Sequence, residues 1–207
     1  MPKSQQGAPF FPASLQALTQ QALANFSVLI ASDRLDGLAR VLASSDYATE
    51  ILLANPELLN QLAQQSRLDT PLKLADYQLW CQEYLENALG QLPTDEASLQ
   101  RQLRLFRRAV MLRLLWRDAQ AAGNPHSVWQ TATEVSYLAE VTTKAALVWL
   151  ENFYAAAWGK PYARGVSLLQ VEAGEVPPLR LVVLGMGKLG AGELNLSSDI
   201  DLIFAFA

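Results

Sequence analysis

The residues that decide the reading are Leu179-Arg180-Leu181-Val182-Val183-Leu184-Gly185-Met186-Gly187-Lys188-Leu189-Gly190 and, a short spacer later, Ser197-Ser198-Asp199-Ile200-Asp201-Leu202-Ile203-Phe204. The leucine and β-branched run after Pro177-Pro178 predicts a buried strand that ends at Gly185. Gly185, Gly187 and Gly190 allow backbone to come close to a phosphate, and the residues after them can open a helix with free N–H groups. The pattern also matches the dinucleotide fingerprint G-x-G-x-x-G. Spacing argues against that fold: only eight residues separate Gly190 from Asp199, where a crossover to a parallel strand needs about a dozen or more. A strand over Ile200 to Phe206 would place Asp199 and Asp201 on one face, about 6–7 Å apart along the backbone. Two carboxylates so placed repel one another unless a divalent cation joins them, and such a pair suits Mg²⁺ held against nucleotide phosphates. A solvated strand-end Asp-x-Asp is the alternative; the order strand, glycine loop, spacer, Ser198-Asp199-x-Asp201 favours the metal pair.

N-terminal to this motif the apolar period is helical. From Ser14, Leu15, Leu18, Ala22, Leu23, Phe26, Leu29 and Ile30 share a face, and Leu35, Leu38, Val41 and Leu42 continue the pattern. Ser45-Asp46 predicts a capped helix with Ile51 and Leu52, and Asn55-Pro56-Glu57 reads as the start of another. A helix from about Pro71 to Gly90 carries Leu74, Tyr77, Cys81, Tyr84, Leu85 and Ala88 on its stripe, which makes Cys81 a small buried hydrophobe. The next helix opens at Thr94-Asp95-Glu96. Its seam of Leu99, Leu103, Phe106, Val110 and Leu114, with Leu105, Leu112 and Trp116 behind, makes it central. Six of the eleven arginines (Arg101, Arg104, Arg107, Arg108, Arg113, Arg117) lie on it; Arg101, Arg104 and Arg108 share a face that suits phosphates or an acidic partner, against the alternative of intrachain pairing and stem packing. Ser127 to Trp158 holds neither Gly nor Pro, and Val128, Val135, Leu138, Thr142, Ala145, Trp149 and Phe153 predict one long helix. His126, the single histidine, falls in the turn before it and reads as a loop residue rather than a base.

The whole is 207 residues, 51% apolar and 17% charged, with formal charge −4. That supports real cores and speaks against a general nucleic-acid or anionic-membrane coat. One cysteine forms no intramolecular disulfide, and no secretory core or membrane-length apolar run is present, so the expected location is cytoplasmic. The expected architecture is mainly α. A loose leader covers 1–13, a helical region 14–160 and a linker 161–178, with the first β-loop-β part of an α/β domain over 179–207.

The glycine loop followed by Asp-x-Asp resembles the nucleotidyltransferase superfamily of DNA polymerase β type. The string Gly185-Met-Gly-Lys-Leu-Gly-Ala-Gly-Glu-Leu-Asn-Leu-Ser-Ser-Asp-Ile-Asp-Leu-Ile-Phe204 closely resembles glutamine synthetase adenylyltransferases. Ser45-Asp-Tyr-Ala-Thr-Glu-Ile-Leu-Leu-Ala-Asn-Pro-Glu-Leu-Leu59 and Leu103-Arg-Leu-Phe-Arg-Arg-Ala-Val-Met-Leu-Arg-Leu-Leu-Trp-Arg-Asp118 are similar to that family's N-terminal helical region. Ala191 and Leu196 depart mildly from the family pattern, which often has a glycine and an aromatic there. The resemblance implies a bifunctional enzyme with two nucleotidyltransferase units. A first motif behind one helical region, near an initiator Met, resembles the adenylyl-removing half. There phosphate attacks the AMP carried on a glutamine synthetase tyrosine, giving ADP and the unmodified synthetase. The other half transfers AMP from ATP, under the PII signal protein and glutamine. Asp199 and Asp201 are then the implied Mg²⁺ ligands. Gly187 and Ser198 would touch nucleotide phosphates, Gly185 and Gly190 would shape the loop, and Lys188 is either a phosphate neutraliser or an exposed loop lysine. The superfamily takes a third carboxylate from a later strand, so the chain is expected to be part of a longer one and inactive by itself. A uridylyl-transferring relative and a non-catalytic helical adaptor that retains the motif are the competing readings.

Overall fold

The computed structural model describes residues 24, 32–121 and 125–206. The expected leader and, apart from Ala24, the helix expected from Ser14 to Ile30 lie outside them. After a 3-10 turn at Ser32–Arg34 come α1 (Leu35–Ser44), α2 (Asp46–Ala54), α3 (Leu58–Gln64), α4 (Leu74–Leu85), α5 (Glu96–Gln120), α6 (Pro125–Trp158), α7 (Leu168–Glu172), β1 (Leu181–Gly185), α8 (Gly187–Ala191) and β2 (Leu202–Phe206). The chain is mainly helical, and among the described residues the two strands form a single antiparallel pair. No helix among them is long and apolar enough to cross a membrane. The polypeptide forms two compact units, Met1–Pro71 with Arg108–Ser127, and Leu72–Arg107 with Val128–Ala207.

In the first unit the helices are short because each is stopped and restarted by local chemistry. α1 buries Leu38, Val41 and Leu42. Ser45 then caps α2, its Oγ accepting from the Ala48 N–H at 3.2 Å, and α2 buries Ala48, Ile51 and Leu52. α3 begins at Leu58, later than Asn55-Pro56-Glu57 implied. Asn55 is already engaged in ending α2, its N–H donating to the Ile51 carbonyl at 2.9 Å, and only a turn from Leu58 N to Asn55 O joins the two helices. The second half of α5 closes this unit, and every residue from 109 to 114 is buried, as expected for a helix packed from more than one direction. Arg113 is among them. Its Nε donates to the Arg67 carbonyl and its Nη2 to the Thr70 carbonyl, both at 2.6 Å. Trp116 Nε1 donates to Asp69 Oδ1 at 3.0 Å, and Gly37 faces the same indole so closely that a Cβ there would lie 2.6 Å from Trp116 Cη2.

In the second unit α4 stops at Leu85, short of the expected Gly90. Asn87 turns the chain first, its Oδ1 accepting from Leu89 N at 2.8 Å and Gln91 N at 3.0 Å. α4 buries Tyr77, Trp80 and Cys81, with Trp80 edge-on to Phe106 at 5.6 Å between centroids. Asp95 caps α5 through Ser98 N at 2.8 Å. α6 has 34 residues, about 50 Å of helix. It starts at Pro125, so His126 falls in its first turn rather than before it; the side chain of His126 lies outside the described ones. Ala132, Val135, Leu138, Val141 and Trp149 are buried, whereas Val128 and Phe153 are exposed because the stripe outlasts its packing at both ends. Tyr77 OH donates to the buried Glu134 Oε2 at 2.7 Å, and Trp149 Nε1 donates to the Pro93 carbonyl at 2.8 Å. The hairpin registers Leu181 against Phe206 through Gly185 against Leu202. β1 is half-buried rather than buried, since a two-stranded sheet lacks the layers that enclose both faces of a larger one.

Candidate active site

β1 delivers the chain to an extended Met186, which stands at the N-cap of α8. Gly187 follows at φ +54°, a left-handed conformation that costs a glycine little. Gly190 lies against the end of β1: a Cβ there would sit 2.6 Å from the Gly185 carbonyl oxygen, a backbone atom with no room to yield. Gly192 ends the turn, with Glu193 N donating to Lys188 O at 2.8 Å and Gly192 N to Leu189 O at 3.0 Å. Gly185 and Gly190 thus meet at the base of the loop, with Gly187 and Lys188 exposed at its crest.

The acidic pair lies beside this loop. β2 begins at Leu202, two residues later than expected, so Asp199 and Asp201 stand in the approach to the strand and are exposed. The bond from Met186 N to Asp201 O, 2.9 Å, extends the ladder by one rung and ties Asp201 to the first residue after β1. Ser198 closes the turn ahead of the pair: its N–H donates to Asn195 O at 3.1 Å and its Oγ accepts from Asn195 N at 3.0 Å. The hydroxyl proton of Ser198 is left to donate elsewhere. Two exposed carboxylates are hard oxygen donors of the kind Mg²⁺ prefers, and the donor set fits that ion. Among the described residues no third His, Cys, Asp or Glu joins them.

The long helix supports the loop. Leu194 is buried, and its N–H donates to Ser136 Oγ at 3.1 Å. A cavity of about 550 Å³ lies alongside, with Ser136 and Lys144 of α6 on one wall and Val183, Gly185, Gly190 and Leu202 on the other. A second cavity of about 660 Å³, lined by Cys81, Leu85, Leu92, Val148, Trp149 and Phe153, is apolar. Burial pushes the Cys81 thiol up to about 11, consistent with an inert core residue. Of the arginines on α5, Arg101, Arg104, Arg107 and Arg108 are exposed, while Arg113 is buried and bonded to carbonyls. Ser136, Leu194 and Gly192 escape a reading of the sequence. The signal that could have found Leu194 is its position as one of two leucines, with Leu196, between the glycines and the serine–aspartate run.

Strand, glycine turn and Asp-x-Asp before an antiparallel return strand are the parts of a nucleotidyltransferase, and comparison with protein-family models agrees with that class. The matching model, over residues 35–207, is glutamate-ammonia ligase adenylyltransferase, and the chain belongs to this family. It is an enzyme family that acts on glutamine synthetase.

Proposed function

We propose that this chain supplies the adenylyl-removing side of the family's chemistry: Mg²⁺-dependent phosphorolysis of adenylyl-tyrosine on glutamine synthetase, with ADP as product. The observation that carries the reading is the exposed Asp199 and Asp201 next to the glycine turn, fastened to it through Met186 N and Asp201 O at 2.9 Å. The resemblance of Ser45–Leu59 and Leu103–Asp118 to the family's N-terminal helical region favours this half over the AMP-transferring one. Asp199 and Asp201 would hold Mg²⁺, which when bound supplies charge stabilisation and alignment at the phosphates. The backbone at Gly187 and the Ser198 hydroxyl bind phosphate oxygens, Lys188 at the crest adds positive charge, and Gly185 and Gly190 keep the turn tight. Nucleotide and inorganic phosphate are the reactants, and the PII signal protein is the proposed regulator in a cytoplasmic enzyme.

The test is Asp201→Asn in a chain carrying both nucleotidyltransferase units. Loss of one ligand charge should remove deadenylylation of the synthetase by about 100-fold or more while adenylylation persists. Phosphorolysis at the unaltered rate would reject the assignment, and loss of adenylylation alone would assign the motif to the other reaction.

A further inference from the structure

We infer that Ser136 of α6 is a positioning residue for the Ser198-Asp199-Ile200-Asp201 segment, acting through the amide of Leu194. The inference rests on the metal and phosphate roles proposed above for that segment. Between Gly192 and Leu202, Leu194 alone is buried, at 2% exposure, while Glu193, Asn195, Ser197, Asp199, Ile200 and Asp201 are exposed. The segment therefore has one apolar foothold. Its polar counterpart is the bond from Leu194 N to Ser136 Oγ, which joins residues 58 apart in sequence.

The geometry of Ser136 fixes the direction of that bond. Its hydroxyl donates to the Ala132 carbonyl at 2.9 Å, one turn back along α6, so the proton is committed to the helix and the oxygen's lone pairs are free for the loop. Beside it the cavity of about 550 Å³ separates α6 from Gly185 and Gly190. Continuous side-chain packing does not press the glycine turn onto the helix there. The segment is held instead by backbone and hydroxyl bonds: Glu193 to Lys188 within the glycine turn, Leu194 to Ser136 of α6, and the ladder bond from Met186 to Asp201. The Asn195–Ser198 turn lies between the last two of these, so a shift at Leu194 passes directly to Ser198 and Asp199.

Ser136→Ala removes the acceptor and leaves a buried N–H, whereas Ser136→Thr keeps the oxygen. Two readouts on a chain carrying both nucleotidyltransferase units, in which the third carboxylate implied by the resemblance is present, separate positioning from mere stability. The first is amide hydrogen exchange at Leu194. The second is backbone cleavage by Fe²⁺ and ascorbate, with Fe²⁺ as the probe for a metal bound at Asp199 and Asp201. Ser136→Ala should speed exchange at Leu194 by about 10-fold, raise the Fe²⁺ needed for half-maximal cleavage at residues 199–201 severalfold, and leave exchange of Val135 and Leu138 unchanged. Ser136→Thr should restore both values. Unchanged exchange at Leu194, or an unchanged Fe²⁺ midpoint in Ser136→Ala, overturns the inference while the metal reading survives. If the unsubstituted chain is not cut at 199–201, the metal reading fails and the positioning role with it.

Discussion

Arg113 spends its guanidinium on backbone: fully buried, it donates to the Arg67 and Thr70 carbonyls at 2.6 Å each. Charge-assisted bonds to two carbonyls at the end of one connection make it a clamp. Arg113→Met should lower stability by about 3 kcal/mol, read from the urea midpoint, because both acceptors lose their donor. Nothing in the spacing distinguishes Arg113 from Arg101, Arg104 or Arg108, since a helical period says which face a residue occupies and not which face will be enclosed. Cys81 was legible, because a thiol between Tyr77 and Leu85 on an apolar stripe has one plausible surrounding. Its thiol is pushed up to about 11 from 9.0 by burial, so the folded chain holds that proton where the unfolded chain has released it. Its contribution is complete below pH 9 and fades as pH rises toward 11; a Cys81→Ala chain should lose less stability across that window. At pH 8 a thiol reagent should label Cys81 only as the protein unfolds.

At the scale of elements, what reads well from sequence is what a few neighbouring residues decide. Ser45 is an example, with its Oγ on Ala48 N as the serine–aspartate pair predicts. Ser45→Ala should cost about 1 kcal/mol and Ser45→Asp should recover most of it, by thermal unfolding followed through helical circular dichroism. Asn55-Pro56-Glu57 sets the start of α3 too early because one asparagine serves both helices: its N–H closes α2 and its carbonyl accepts from Leu58 N, where α3 begins. Gly90 misleads for a similar reason, Asn87 having turned the chain first. The glycine turn and the Asp-x-Asp stood out because their residue types serve backbone shape and charge. The long helix α6 was legible too, but its role in steadying them was not, since Ser136 reaches Leu194 through a bond spanning 58 residues.

At the scale of the whole molecule, the hairpin is the exposed element. Ile203, Phe204 and Phe206 are 48%, 61% and 69% exposed, and the described residues give β1 and β2 no partner but each other. Open strand edges beside apolar side chains template pairing between copies. The 207-residue chain should therefore associate as its concentration rises, and a chain ending before Pro177 should remain monomeric and unfold cooperatively. Sedimentation at matched concentrations checks this, with a monomeric longer chain and an aggregating shorter one as the contrary result.

The interleaving of the two units also sets a schedule during synthesis. The first unit takes its last piece, Arg108–Ser127, from beyond the whole of Leu72–Arg107. A ribosome working at roughly 5–20 residues per second needs several seconds to pass from Pro71 to Ser127. Emergence from the exit tunnel lags synthesis but keeps the same spacing in time, so for seconds Leu38, Leu52, Leu59 and Leu62 are outside while Trp116 and Leu114, the residues that complete their unit, are still within. The nascent chain should therefore be a client of ribosome-associated chaperones over those seconds, and should be released from them as Ser127 emerges.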